Sequence, residues 1–321
     1  MRCVSLFSGC GGLDLGVERA GFQVVLANDN EPLCAESHGV NFPHASFYLG
    51  SVTDFARELS AGALLDDGGV DLLVGGPPCP PYSKSRFYRK DKPRALKDGL
   101  AWETLNGYLE TLRYLKPRAF ILENVAGLAY KVHRDALDLI LQEAERAGYR
   151  CTWRVVNAAN YGVPQIRERF LLVGLKTGEF KFPSPTHAKS PGRDLLTATL
   201  EPWRTAGDAI RDLDTDENAD DAGHFAGGQF HDLLCEIPPG DNYLYFTEKR
   251  GHPEPRFKWR SRYWSFLLKL SPDLPAWTIQ ARRSNNMGPF HWRNRILRIE
   301  EVKRLQTFPD EWHIAGTVEQ Q

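Results

Sequence analysis

Short apolar runs closed by glycines or polar residues recur through the first half of the chain, separated by stretches of helical spacing. Residues 3–7, 22–27, 70–74, 119–122, 151–156 and 170–173 predict strands. Residues 13–20, 102–115 and 134–147 predict helices, the second ended by Pro117 and the third stopped by Gly148. Strands alternating with helices predict an α/β fold built on a doubly wound, Rossmann-like sheet. From about Lys176 the pattern changes. Residues 182–202 are rich in Pro, Ser and Thr, and residues 212–221 are acidic, as in an exposed loop. Further on, residues 276–280 predict a strand and 299–305 a short helix, and no internal repeat is present.

A length of 321 residues suits one large domain with a smaller one, or two medium domains. With 42% hydrophobic and 25% charged residues, the chain reads as an ordinary soluble globular protein. The net charge of -1 gives no global basic field, so any nucleic-acid contact must rest on local patches. The six cysteines include no C-x-x-C pair, which suits neither a zinc site nor a disulfide framework and fits a reducing cytosol. Strand-like sequence starts almost at Met1, leaving no room for a signal peptide, and no apolar run approaches the roughly 20 residues that span a bilayer. The expectation is a cytoplasmic protein with no membrane partner and no metal.

Candidate chemistry centres on Gly75-Gly76-Pro77-Pro78-Cys79-Pro80-Pro81-Tyr82-Ser83, which follows the strand at 70–74. Glycines and prolines make this a non-helical loop presenting one thiol at a strand's carboxyl end, where ligands bind in open α/β sheets. A lone Cys in such a turn is more often small, buried and inert. Upstream, the strand at 3–7 runs into Ser8-Gly9-Cys10-Gly11-Gly12 and then a helix, and the second strand ends at Asn28-Asp29-Asn30. A Gly-rich turn with an acidic residue past the second strand suits an adenosine-containing cofactor, NAD as well as any other. The absence of Lys-Ser/Thr after the glycines excludes a P-loop. Glu123-Asn124-Val125 closes the strand at 119–122, on the same rim as Cys79, where the glutamate serves chemistry, caps the next helix, or does both.

Basic residues cluster locally. The run 84–94 mixes Lys and Arg with Phe87 and Tyr88; it is either a solvated loop or a lid that closes over phosphates and excludes water. In a continuous strand through 165–169, Gln165, Arg167 and Arg169 would share one face and suit an anionic or carbonyl-bearing ligand, the alternative being a paired edge strand. Arg250, Arg256, Lys258, Arg260 and Arg262 interleave with Phe257, Trp259, Tyr263 and Trp264, a composition suited to nucleic acid but also to a packed small domain. Arg282-Arg283-Ser284-Asn285-Asn286 carries side chains that read base edges.

Taken in order, Phe7-Ser8-Gly9-Cys10-Gly11-Gly12-Leu13, Pro77-Pro78-Cys79, Glu123-Asn124-Val125, Gln165-Ile166-Arg167-Glu168-Arg169 and Arg304-Leu305-Gln306-Thr307-Phe308-Pro309-Asp310 resemble the cytosine-5 DNA methyltransferase family across nearly the whole chain. The resemblance implies a class I methyltransferase fold binding S-adenosyl-L-methionine, with a catalytic domain at 1–175 plus 276–321 and a smaller target-recognition domain at 176–275. It implies that Cys79 adds to carbon 6 of a cytosine flipped out of duplex DNA, making carbon 5 nucleophilic. Glu123 would hold or protonate N3, Arg169 would bind O2, and Arg167 would help position the thiolate. Phe7 would stack on adenine, Asp29 would take the ribose hydroxyls, and Pro78 would line the pocket; Ser8, Gly9, Gly11, Gly12, Leu13, Ser51 and Val52 complete the cofactor set. Ser83, Lys84, Arg86, Gln165, Arg256, Arg260, Arg262, Arg282 and Arg283 are expected on DNA. A cognate restriction endonuclease is the partner such an enzyme implies.

The sequence departs from the family pattern in three places. Pro80 follows the Cys where the family has Gln, Ser51 stands where an acidic residue meets the adenine amino group, and the sequence stops at Gln321 where an Ile-Gly-Asn-Ala-Val-Pro-like run is expected. Two other readings share the motifs: an RNA (tRNA) cytosine-5 methyltransferase, and a non-catalytic DNA-binding subunit needing a C-terminal segment in trans. The insert with its Arg/Trp cluster favours DNA over RNA, and intact Cys79, Glu123, Arg167 and Arg169 favour an enzyme.

Overall fold

The computed structural model describes residues 1–66, 68–78, 98–192, 197–215, 226–280, 284–317 and 320. Its α-helices and strands, in chain order, are β1 (Arg2–Leu6), α1 (Gly12–Arg19), β2 (Gln23–Asp29), α2 (Pro32–Asn41), β3 (Ser46–Leu49), α3 (Val52–Ser60), β4 (Leu72–Gly75), α4 (Gly99–Leu115), β5 (Ala119–Val125), α5 (Arg134–Arg146), β6 (Arg150–Asn157), β7 (Gln165–Ile166), β8 (Glu168–Leu175), β9 (His187–Ala188), β10 (Glu201–Pro202), α6 (Ala206–Ile210), α7 (His231–Glu236), β11 (Ala276–Trp277) and α8 (Ile299–Leu305). The chain divides into two compact units.

The first unit, Met1–Val156 with Glu168–Pro183 and His313–Ala315, is built on a seven-stranded sheet ordered β3-β2-β1-β4-β5-β8-β6. Strands β1 to β5 pair in parallel, and β8 runs antiparallel to β5. This is the doubly wound α/β architecture the alternating pattern predicts. Central strands such as β4, buried at every position, explain why 72–75 reads as a continuous apolar run rather than an alternating one. Because β1 sits beside both β2 and β4, the order of the strands reverses there, and the carboxyl ends of β1, β2, β4 and β5 surround the switch point where α/β ligands bind. Close helix packing needs a glycine at one place: a Cβ on Gly107 of α4 would meet Val52 at 2.6 Å.

The second unit, Asn157–Arg167, Ser184–Trp312 and Gly316–Gln321, has short strands and two apolar cores. One is aromatic, gathering Tyr243, Phe246, Phe257 and Phe266. The other joins α6 to α8 through Ala206, Ile210, Leu297 and Leu305. Residues 276–312 therefore pack with the 184–275 region, so this unit is wider than the expected insert. A buried ionic network stiffens it. Arg295 donates to both oxygens of the fully buried Glu301 (2.7 and 2.8 Å), and Arg298 donates to the carbonyls of Leu213 and Thr215. Asp214 accepts from Trp292 Nε1 at 3.0 Å and pairs with Arg293 at 2.8 Å.

Candidate active site

At the carboxyl end of β1 the chain turns sharply. Phe7 has φ 56°, Gly9 55° and Gly11 83°, a run of left-handed residues that only the two glycines adopt without cost. Asp29, at the end of β2, holds this turn: its Oδ2 accepts from Gly9 N (3.0 Å) and its Oδ1 from Glu31 N (3.1 Å). One backbone N–H on each oxygen leaves further lone pairs of the carboxylate available to hydroxyl donors. Behind the turn, Asp14 of α1 accepts from Ser5 Oγ and sits 3.1 Å from His38 Nε2, all three side chains being buried. This network roots the Gly-rich turn in β1 and α2.

Ser51 accepts from Asp54 N (3.1 Å) and donates to Asp54 Oδ2 (2.8 Å), so the residue in the expected adenine-binding position is the N-cap of α3. Val52 is 5% exposed and its methyl groups lie against α4, which places it in the core. Asn28, absent from the expected site, is buried and lies between these turns. Its amide donates to Tyr48 O (3.0 Å) and Gly50 O (2.9 Å), while its backbone carbonyl accepts from Ser8 N and Ser8 Oγ. A polar residue closing the apolar run of β2 is the only trace of this in the sequence.

The ends of β4 and β5 form the second part of the site. Glu123 is paired with Arg169 of β8, Nε to Oε1 at 2.7 Å, and the antiparallel register explains the meeting because Val125 lies opposite Arg169. The carboxylate lies over Gly76, where a Cβ would stand 2.9 Å from Glu123 Oε2. Asn124, buried beside it, donates from Nδ2 to Pro77 O at 3.1 Å and so fixes the Pro-Pro segment that leads to Cys79. Beneath Pro77 and Pro78 is a small cavity lined by Ala101, Leu105, Leu122, Leu128 and Ile140. The first unit thus brings Phe7, Ser8, Gly9, Asp29, Pro78 and Glu123 to the carboxyl ends of neighbouring parallel strands, with Arg169 joining them from the amino end of the antiparallel β8. Cys79, Ser83, Lys84, Arg86, Arg282 and Arg283 lie outside the described residues. Burial pushes the described thiols Cys3, Cys10, Cys34 and Cys151 upward, Cys34 to about 12 and Cys151 to about 11, which keeps them protonated and poorly nucleophilic.

The expected single strand through 165–169 is two strands. Gln165 belongs to β7, paired with β11, whereas Arg169 belongs to β8 in the large sheet. The break falls at Arg167, whose N–H donates to Asn157 Oδ1 and whose carbonyl accepts from Ala158 N. Gln165 is fully buried, donating to Leu305 O (3.3 Å) and accepting from Arg167 Nη1 (3.5 Å). Its expected place on DNA is therefore corrected: it is an internal tie, because both ends of its amide are used inside the second unit.

In that unit the 256–264 loop is exposed yet firmly held. Tyr243 OH donates to Arg262 O (2.8 Å), Asn242 Nδ2 donates to Trp264 O (2.7 Å), and Phe257 anchors in the aromatic core. Arg256 and Arg262 are exposed, with Arg256 paired to Glu254 at 2.9 Å. Arg260 is exposed too, and Lys249 stacks 4.4 Å above the Trp259 ring. Arg250 is instead paired with Asp241.

The family model for C-5 cytosine-specific DNA methylases matches residues 1–321. The chain belongs to the C-5 cytosine-specific DNA methylase family. This methylase is 39% identical to the type II methyltransferase M.SacI of Streptomyces achromogenes over 98% of its own length and 85% of that protein. Its fold is similar to a solved structure described as a prophage-encoded DNA modification methyltransferase of E. coli, with TM-score 0.67 and 20% identity over 98% and 90% of the two chains. The S. pombe Dnmt2 methyltransferase also shares the fold, with TM-score 0.56 and 15% identity over 100% and 91%. The methylase is thus a DNA cytosine-C5 methyltransferase with a class I methyltransferase fold. Among the described residues no helix is long and apolar enough to cross a membrane, and no cluster of metal-ligating side chains occurs.

Proposed function

We propose that the enzyme transfers the methyl group of S-adenosylmethionine to carbon 5 of a cytosine flipped out of duplex DNA, through a covalent bond between Cys79 and carbon 6. The observation that carries this reading is the Glu123–Arg169 pair set over Gly76, on the rim from which Asn124-pinned Pro77 leads to Cys79. The cofactor supplies an electrophilic methyl group on a sulfonium. The first unit fits such a cofactor: Asp29 offers free lone pairs to ribose hydroxyls, and Phe7 offers an aromatic face. The Ser8–Leu13 turn and Pro78 complete the slot, with Ser51 and Val52 acting from behind it as helix cap and packing.

In this scheme the Cys79 thiol loses its proton and its sulfur adds to carbon 6, while Glu123 hydrogen-bonds or protonates N3 and so takes up the charge that addition places on the ring. Arg169 holds Glu123 and donates to O2; Arg167 orients the nucleophile's surroundings. Carbon 5, now enamine-like, would take the methyl group from the sulfonium, which leaves as a neutral thioether; a base then removes the carbon-5 proton, N3 returns any proton to Glu123, and the Cys79–carbon 6 bond breaks, restoring the ring and the thiolate. Extruding the base costs a few kcal/mol, which contacts from the second unit would offset. We assign target recognition to that unit, with Arg256, Arg260 and Arg262 on DNA, joined by Ser83, Lys84, Arg86, Arg282 and Arg283. The likeness to a type II methyltransferase supports a place beside a cognate restriction endonuclease.

The test is transfer from methyl-labelled S-adenosylmethionine to unmethylated plasmid DNA and to tRNA, with modified positions mapped at base resolution. Label on cytosine carbon 5 at one recurring duplex sequence is the expected result. Label on tRNA alone would overturn the DNA assignment, and no transfer from a protein that binds the cofactor would overturn the catalytic one.

A further inference from the structure

The structure assigns to Asn28 the role of positioning residue for the cofactor slot, an inference that rests on the cofactor proposed above. Three turns frame that slot: residues 8–12 after β1, 29–31 after β2, and 50–52 between β3 and α3. They come from separate parts of the sequence, and two adjacent residues, Asn28 and Asp29, join them. Asn28 Nδ2 uses its two N–H groups on two different carbonyls, Tyr48 O at 3.0 Å and Gly50 O at 2.9 Å. Its backbone carbonyl accepts twice from Ser8, from the backbone N at 3.1 Å and from Oγ at 3.0 Å. The neighbouring residue repeats the pattern, Asp29 Oδ2 accepting from Gly9 N and Asp29 O from Gly50 N, both at 3.0 Å.

A strand end needs none of this. The backbone ladder already pairs Asn28 with Leu6 on one side and Tyr48 on the other. An apolar side chain would fill the same buried position, as Leu26 does two residues earlier on the same strand. The amide adds a fixed distance between the Ser8–Gly9 turn and the Gly50–Val52 turn, hence the width of the adenosine slot. Only an unbranched planar amide of this length supplies two donors to carbonyls two residues apart in one chain. Asn28 is 1% exposed, so water cannot replace those donors. It touches no reacting atom, so its effect should fall on cofactor affinity and not on the chemical step.

Asn28→Asp keeps the shape but turns both donors into acceptors facing carbonyls; Asn28→Ser keeps one donor and loses the span. Equilibrium binding of S-adenosylmethionine and of S-adenosylhomocysteine is measured on the full chain, well below each variant's melting temperature. Steady-state kinetics follow at saturating cofactor. The expected result is a cofactor Kd raised at least tenfold in both variants, with kcat at saturation and KM for DNA within about threefold of wild type. For Asn28→Asp, the Kd relative to wild type should fall as pH drops from 8 to 6, because the buried carboxyl regains a proton and with it one donor. A Kd unchanged in both variants, or a kcat lost in step with affinity, would overturn the assignment. A wild-type protein that binds neither compound would overturn the cofactor reading itself, and this inference with it.

Discussion

Replacing Gly76 with alanine tests the catalytic corner with a single methyl group. A Cβ there would stand 2.9 Å from Glu123 Oε2 but 3.8 Å from the Glu123 backbone oxygen, so the main chain has room and only the carboxylate must move. Gly76 is not among the residues of positive φ, so alanine brings no backbone strain. Ordinary contact requires the carboxylate to retreat by a few tenths of an ångström, away from the position where Arg169 Nε meets Oε1 at 2.7 Å. That pair is partly exposed, so loosening it costs folding only about 0.5–1 kcal/mol. Catalysis is less tolerant, since a misplacement of about 1 Å can cost about 100-fold. We expect kcat to fall about 4- to 10-fold, cofactor Kd to stay within twofold, and the melting temperature to drop by no more than about 4 °C. Label transfer at saturating DNA and cofactor, calorimetric cofactor binding and a thermal melt measure the three in turn. A kcat within twofold of wild type would refute the placement of Glu123 at the reacting base.

Cys79→Ser should abolish methyl transfer while leaving cofactor affinity intact; full turnover in that variant would end the covalent scheme. Alanine at Arg256, Arg260 and Arg262 together should weaken DNA binding and lower the salt slope of log K by about 0.9 for each phosphate that is no longer neutralised. An unchanged slope would reassign these side chains to packing. His291 is buried among Arg293, Arg295 and Arg298; burial first and then Arg295 push its pKa down to about 3, against the opposing pull of Asp214. The sign follows directly: below about pH 6.5 the unfolded chain takes up a proton that the folded chain refuses, so stability is lost as pH falls from there toward 3. His291→Asn should flatten that stretch of the stability–pH curve, and denaturant titrations at pH 7, 5.5 and 4.5 would reveal an unchanged slope if the assignment is wrong.

Much of this was legible in the residues. The runs 119–122 and 170–173, which fall inside β5 and β8, and the helical patterns at 102–115, 134–147 and 299–305, which match α4, α5 and α8 to within a few residues, announce themselves because each buries a regular apolar set. Glycines and prolines at 9–12 and 75–78 mark the rim of the site for the same reason that they shape it. Other features stay hidden where structure depends on distant polar partners. Nothing local distinguishes Asn28, whose hydrogen-bond partners lie 20 and 22 residues away. The alternation rule failed at 165–169 because Asn157 and Ala158 capture the backbone of Arg167 and end one strand before the next begins. In helix α2 the apolar residues are not gathered on one face, and its buried Ser37 and His38 bond to polar partners, so no amphipathic stripe betrays it.

Those partners include a segment far downstream. Asn41 Nδ2 donates to His313 O and Asn41 Oδ1 accepts from His313 N, while Ser37 Oγ accepts from Ala315 N. Residues 313–315 thus belong to the first unit although 272 positions separate Asn41 from His313. On a ribosome adding about 5–20 residues per second, the helix that follows Asp29 waits on the order of 15–50 s for the strip that finishes it. During synthesis these hydrogen bonds are the last that the first unit can make, and they become possible only after nearly all of the second unit has been translated.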